Sequence, residues 1–111
     1  MLHAVAVLCL NAVLVCVASA ETRPDLRLPP GTRADANGQL VSGRGLRETT
    51  DFVARELGRR GITVRQIGPY RVRGVELTRF LSQTPSTTWL AIHVVRSGGK
   101  TVIFFVPRPP S

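Results

Sequence analysis

The hydrophobic pattern of this 111-residue chain changes character along its length, and each change marks an element. From Met1 to Ala20 there is no period at all: only His3, Asn11 and Ser19 interrupt the apolar residues, and Lys, Arg, Asp and Glu are missing. Residues 21–45 have few large apolar side chains and hold Pro24, Pro29, Pro30, Gly31, Gly38, Gly43 and Gly45, which predicts an irregular arm. Within it Asn37-Gly38 marks a turn, because both residues tolerate positive φ, and Gln39 to Ser42 reads as one short strand. Residues 46–60 then repeat at 3, 4 and 7: Leu46, Thr49, Thr50, Val53, Ala54 and Leu57 form one stripe, flanked by Phe52, and predict an amphipathic helix. Glu48 and Asp51 near its start and Arg59 and Arg60 at its end suit the helix dipole. Asp51–Arg55 and Glu56–Arg60 are acid-first pairs four apart, and Gly61 is placed to end the helix.

After Gly61 the period becomes two. Ile62 to Ile67 reads as a strand, Gly68-Pro69 as a turn, and Tyr70 to Leu81 as a longer strand bent at Gly74. Ser82 to Thr88 is a loop. Trp89 to Arg96 and Thr101 to Val106 are strongly apolar strands joined by Ser97-Gly98-Gly99-Lys100, a hairpin signature. Pro107, Pro109 and Pro110 stop the last strand and leave an extended tail over 108–111. The pattern therefore predicts an α+β domain over 46–107, with one helix packed on an antiparallel sheet of about four strands that ends in an apolar hairpin.

That hairpin is apolar on both sides. Alternation puts Val102, Phe104 and Val106 on one face of the last strand and Thr101, Ile103 and Phe105 on the other. In its partner, Leu90, Ile92 and Val94 face one way and Trp89, Ala91, His93 and Val95 the other. A strand with one wet face alternates, so this pattern demands cover on both sides. A helix of about 15 residues is about 22 Å long and covers one face only. The second face requires the arm, a second copy of the chain, or a bound apolar partner. Trp89, His93, Phe104 and Phe105 are the candidate interface residues.

The charge-free leader adds a compartment. Ala18-Ser19-Ala20 closes the apolar run with a small-x-small site, which predicts a signal peptide over 1–20 and an exported chain, secreted, periplasmic or in the cell envelope. The alternative is an uncleaved single-pass anchor, since the run approaches the length that spans a bilayer. Both cysteines, Cys9 and Cys16, lie in the leader, so the 91 residues after Ala20 have no disulfide and no thiol nucleophile. Those residues carry all 15 basic and all 7 acidic side chains of a chain with net charge +8. They hold one small core and not two.

Chemistry is hard to place. Asp35-Ala36-Asn37-Gly38-Gln39-Leu40 has the middle of a calcium loop, but Arg33 and Arg44 stand where the first and twelfth ligands belong, so it reads as a turn. Gly98-Gly99-Lys100-Thr101 resembles the end of a phosphate-binding loop but has Val94 where the first glycine is needed and lies between two strands. His93 is the only histidine after the leader, and no nucleophile or acid accompanies it in its strand. No catalytic set, metal set or cofactor site is expected. All the basic residues but Lys100 are arginine. Arg71, Arg73 and Arg79 share one parity and, with Arg65, form a candidate stripe for phosphate, sulfate or a carboxylate-rich polymer. Nucleic acid is disfavoured, because the aromatic platform that stacks single strands is missing.

Two functions remain in view. The first is a non-enzymatic binding or structural domain that uses an apolar sheet face to form a homodimer or to dock a protein partner. The second is a module that binds an anionic polymer or surface through its arginines. An enzyme built on His93 is the remote alternative.

Overall fold

The computed structural model describes residues 26–109. The signal segment, residues 21–25 of the arm and the end of the tail lie outside the described residues. In chain order the elements are β1 (Arg33–Ala34), β2 (Leu40–Ser42), α1 (Leu46–Arg59), β3 (Val64–Val72), β4 (Val75–Ser82), β5 (Trp89–Ser97) and β6 (Lys100–Pro107). All strands are antiparallel neighbours in one sheet of order β1-β2-β6-β5-β4-β3, and α1 packs on β4 and β5. The α+β class therefore holds, with six strands where about four are expected. The two additional strands are the short pair β1 and β2; β2 falls on the short strand expected over 39–42, and β1 comes from the stretch read as irregular.

The β1–β2 turn explains that pair. The Asp35 carboxylate accepts hydrogen bonds from the Asn37 and Gln39 amides, both at 2.9 Å, so the calcium-like spacing builds a hairpin turn on its own backbone. β2 then pairs with β6, Leu40 opposite Ile103 and Ser42 opposite Thr101.

α1 follows its predicted stripe, with Leu46, Thr49, Thr50, Val53 and Leu57 buried and Ala54 packed beside them. Glu56 is buried as well, held by Arg59 at 2.7 Å and Arg60 at 3.3 Å. Of the two expected acid-first pairs only Glu56–Arg60 forms; Asp51–Arg55 is not among the ion pairs of the described residues. At the helix end the Gly61 amide donates to Gly58 O and the Ile62 amide to Leu57 O, closing a Schellman motif around Gly61 at φ 71°. Ile62 is thereby turned onto the core.

The β3–β4 segment corrects the sequence reading. Gly68-Pro69 does not reverse the chain; β3 runs through it with a bulge between Ile67 and Tyr70. The reversal lies at Arg73-Gly74, with φ of 51° and 80°. Arg73 and Gly74 have the positive φ at both central positions that a type I′ hairpin turn requires, a geometry closed to Gly68-Pro69 because the proline ring holds φ negative. Gly68, at φ 102°, instead lets the strands approach: a Cβ there would lie 2.6 Å from Leu77 O.

The core lies between α1 and one sheet face. Val53, Leu57, Phe80, Ile92, Val94 and Ile103 are almost wholly sealed, with Leu40, Leu46 and Trp89 around them. Leu26 and Leu28 pack against this same cluster, so the described part of the arm closes the helix side of the sheet and not its back.

Candidate functional site

Strand register sorts every sheet side chain to a face. Opposite residues of an antiparallel pair point the same way, so Phe80, Ile92 and Phe105 share the helix side, as do Thr78, Val94 and Ile103. The back of the sheet follows by alternation. β5 gives it Ala91, His93 and Val95; β6 gives it Val102, Phe104 and Val106; β4 gives it Val75, Leu77, Arg79 and Leu81. From β3 come Arg65 and Ile67 before the bulge and Tyr70 and Val72 after it. Val41 and Arg33 continue the face onto β2 and β1.

No element among the described residues lies across this back face. Tyr70 is 50% exposed and Phe104 38% exposed, and the aliphatic side chains of Leu77, Val95, Val102 and Val106 are only half-buried. Strands of eight or nine residues, four abreast, present about 500 Å² in projection. Arg65, Arg79 and His93 take part of that area, and the remainder is a contiguous apolar patch of the kind that commonly marks a functional surface.

The candidate interface residues divide. His93 and Phe104 are cross-strand partners on the back face. Trp89 and Phe105 are not there: Trp89, at 4% exposure, sits in the core, and Phe105 packs against it. The physical reason is a bulge at Leu90, which lets Trp89 pair with Pro107 while Ala91 pairs with Val106, so simple alternation fails at the start of β5. Leu77, Tyr70 and Val102 belong to the face although the sequence reading does not single them out; their signal is parity, readable once the β3 bulge and the Arg73-Gly74 turn are known.

The arginine stripe divides too. Arg71 pairs across the strands with Glu76, at 3.3 Å, on the opposite side of the sheet. Arg73 occupies the hairpin turn. Arg65 and Arg79 stay on the back face, one on the outer strand and one in the middle. The bulge and the turn break the parity that joins these residues in the sequence.

No protein-family profile, curated protein or solved structure matches this chain. The reading of the site therefore rests on its own geometry.

At the centre of the face Arg79 and His93 are directly opposite each other. Arg79 Nε and His93 Nε2 are sealed from solvent and make no hydrogen bond among the described residues. Burial, and then the Arg79 charge, push the His93 pKa down, so the imidazole is neutral at pH 7. A neutral imidazole flanked by a guanidinium and a phenyl ring has no acid to orient it and no hydroxyl to activate. The arrangement instead offers nitrogen donors to an incoming acceptor.

Positive charge predominates. Arg33, Arg65, Arg79 and Lys100 lie on this face, and among the described acids only Asp35 reaches it, at the β1–β2 margin where it pairs with Lys100. Among the described acids Glu48, Asp51 and Glu56 are on α1, Glu76 is on the helix side of β4, and Asp35 is in the β1–β2 turn, 3.9 Å from Lys100 Nζ. Two clefts lie away from the centre of the face. One, of about 300 Å³, runs between Pro30 and α1 residues Glu48, Asp51, Phe52 and Arg55. The other, of about 480 Å³, lies beside β1 and β2 and is lined by Arg33, Asp35, Val41 and Lys100. No group of three metal-ligating side chains occurs among the described residues. No helix among them is long and apolar enough to cross a membrane.

Proposed function

We propose that this chain is a non-enzymatic docking domain whose back sheet face receives a partner with an apolar and negatively charged surface. The observation that carries the reading is the composition of that face: partly exposed aliphatic side chains and the more exposed rings of Tyr70 and Phe104 around Arg79 and His93, with cations outnumbering the single marginal carboxylate of Asp35. Burial of the apolar centre supplies the driving force, and the excess of cations selects the sign of the partner. The same composition disfavours self-association. A two-fold contact through this face sets arginines against arginines, and like charges brought together without intervening acids cost affinity.

The test uses a small probe of the required chemistry, the anionic dye anilinonaphthalene sulfonate, together with light scattering. The folded chain binds the dye and stays at one mass at low and high salt. Phe104→Asp, placed on the exposed face, abolishes dye binding and leaves the near-ultraviolet circular dichroism unchanged. Dye binding that survives Phe104→Asp overturns the reading. A dimer stable at high salt replaces it with self-association.

A further inference from the structure

We infer that the partner of the back face is an anionic lipid bilayer, against which the sheet lies flat at headgroup depth, with its cations at the phosphates and its apolar side chains against the first acyl carbons. The inference rests on the docking reading and gives it an occupant.

Charge complementarity comes first. A bilayer leaflet rich in acidic phospholipid is a uniformly negative surface over an apolar interior, and the face is an apolar field with a net positive charge. A polypeptide partner ordinarily offers both signs, and an interface adapted to one carries carboxylates among its cations; on this face the one described carboxylate, Asp35, stands at the β1–β2 margin against Lys100, and none accompanies Arg65 and Arg79. Geometry comes second. The long side chains of Arg65, Lys100 and Arg73 stand on the outer strand and at the two hairpin turns, at the perimeter of the four long strands. From there their aliphatic stems lie along apolar surface while the charged heads reach outward to the headgroups. Tyr70, half-exposed on the outer strand, presents a ring with a polar tip, the type of side chain that settles at the lipid–water boundary.

The third observation is the orphaned pair. Arg79 Nε lies sealed at the centre of the face, away from the described carboxylates, directly across the strands from His93, whose Nε2 also has no hydrogen-bond partner among the described residues. A lipid phosphate that enters between them satisfies both nitrogens and neutralises the one cation inside the apolar field.

The experiment is co-sedimentation of the full chain with phosphatidylcholine vesicles with and without phosphatidylglycerol, at low and high salt. The leader contains no Lys, Arg, Asp or Glu, so any partition it causes is indifferent to salt and to phosphatidylglycerol. Binding through the face needs phosphatidylglycerol and weakens as salt shortens the screening length from about 10 Å at 0.1 M to about 3 Å at 1 M. Arg79→Gln and Arg65→Gln each weaken phosphatidylglycerol-dependent binding about fivefold. Arg47→Gln, an equal charge loss on the exposed side of α1, leaves it unchanged. Arg65 is exposed, so its variant reports on binding even if Arg79→Gln unfolds. Equal weakening by Arg47→Gln overturns the inference, because net charge alone then explains the binding. Binding indifferent to phosphatidylglycerol overturns it too. If vesicles are ignored while Phe104→Asp still abolishes dye binding, the docking face stands and the bilayer is refuted as its occupant.

Discussion

Two phenylalanines on the strands either side of β5 measure whether the back face is open in the working protein. Phe80 is 0% exposed, at the centre of the α1-side core; Phe104 is 38% exposed on the other side of the sheet. Phe80→Ala leaves an enclosed cavity and costs about 3–5 kcal/mol. Phe104→Ala leaves no enclosed void, because solvent fills the space. Its cost is the transfer energy of the covered fraction: about two-thirds of the roughly 1.5–3 kcal/mol for full burial, or about 1–2 kcal/mol. The two variants therefore differ by at least about 1–2 kcal/mol, and each kcal/mol moves Tm by about 4–8 °C in a domain of this size. Urea unfolding followed by fluorescence reads the difference, because Trp89 is the only tryptophan and is sealed in the core. Equal costs for the two substitutions would refute the reasoning. They would mean that something covers Phe104 as completely as α1 covers Phe80, and that the face is not available to a partner.

Other substitutions test local parts of the same account. Gly68→Ala forces a Cβ to 2.6 Å from Leu77 O at φ 102°, whereas Gly74→Ala meets open space at φ 80°. Gly74→Ala is expected to cost about 1–2 kcal/mol from backbone strain alone, and Gly68→Ala distinctly more; denaturant midpoints order them. The Arg108 guanidinium donates to Thr87 O at 2.9 Å and Thr84 O at 3.2 Å, which ties the chain after β6 to the β4–β5 loop. Arg108→Met should cost about 1–3 kcal/mol and speed amide exchange across residues 82–88 ahead of the core strands. The Arg59 hydrogen bond, opposed by burial and reinforced by Arg60, holds the Glu56 carboxyl below its ordinary pKa. Its contribution to stability is therefore complete above the unfolded carboxylate pKa and is lost as pH falls through the folded value. Glu56→Gln should flatten that acid limb of a stability–pH curve, and an unchanged limb would assign the acid sensitivity to other carboxylates.

Period and punctuation made much of this architecture legible. The 3–4–7 stripe from Leu46 to Leu57 and Gly61 after it mark α1 nearly to the residue. Two consecutive glycines between apolar runs mark the β5–β6 hairpin, whose Gly98 and Gly99 both adopt positive φ. What stayed hidden depends on single-residue offsets. A bulge has no composition of its own: Leu90 looks like any strand residue, yet it moves Trp89 from one face to the other. Arg73-Gly74 is an uncommon pair for a turn that needs positive φ twice, since only glycine takes it without strain, while Gly68-Pro69 has the stronger turn composition and makes a bulge. The candidate face was half legible for the same reason. Apolar residues of both parities in β5 and β6 announce two covered sides, but which arginines join the second side depends on the register of β3, and that register follows from Gly68. A strand as short as β1, two residues long, carries too few residues for alternation to register.

The two rims of the sheet bear on how this domain meets its neighbours. At one rim β1 is only two residues long. At the other, β3 carries Pro69, which has no amide hydrogen to donate, a bulge between Ile67 and Tyr70, and the cations of Arg65 and Arg71. A further strand finds no straight row of donors and acceptors on β1 or β3, so growth by adding strands there is hindered. An exposed apolar sheet ordinarily invites fibrils; here the broadest open surface faces perpendicular to the sheet, where a contact occupies the face once and then stops. Such a domain can leave one side uncovered at high local concentration without templating an endless ladder.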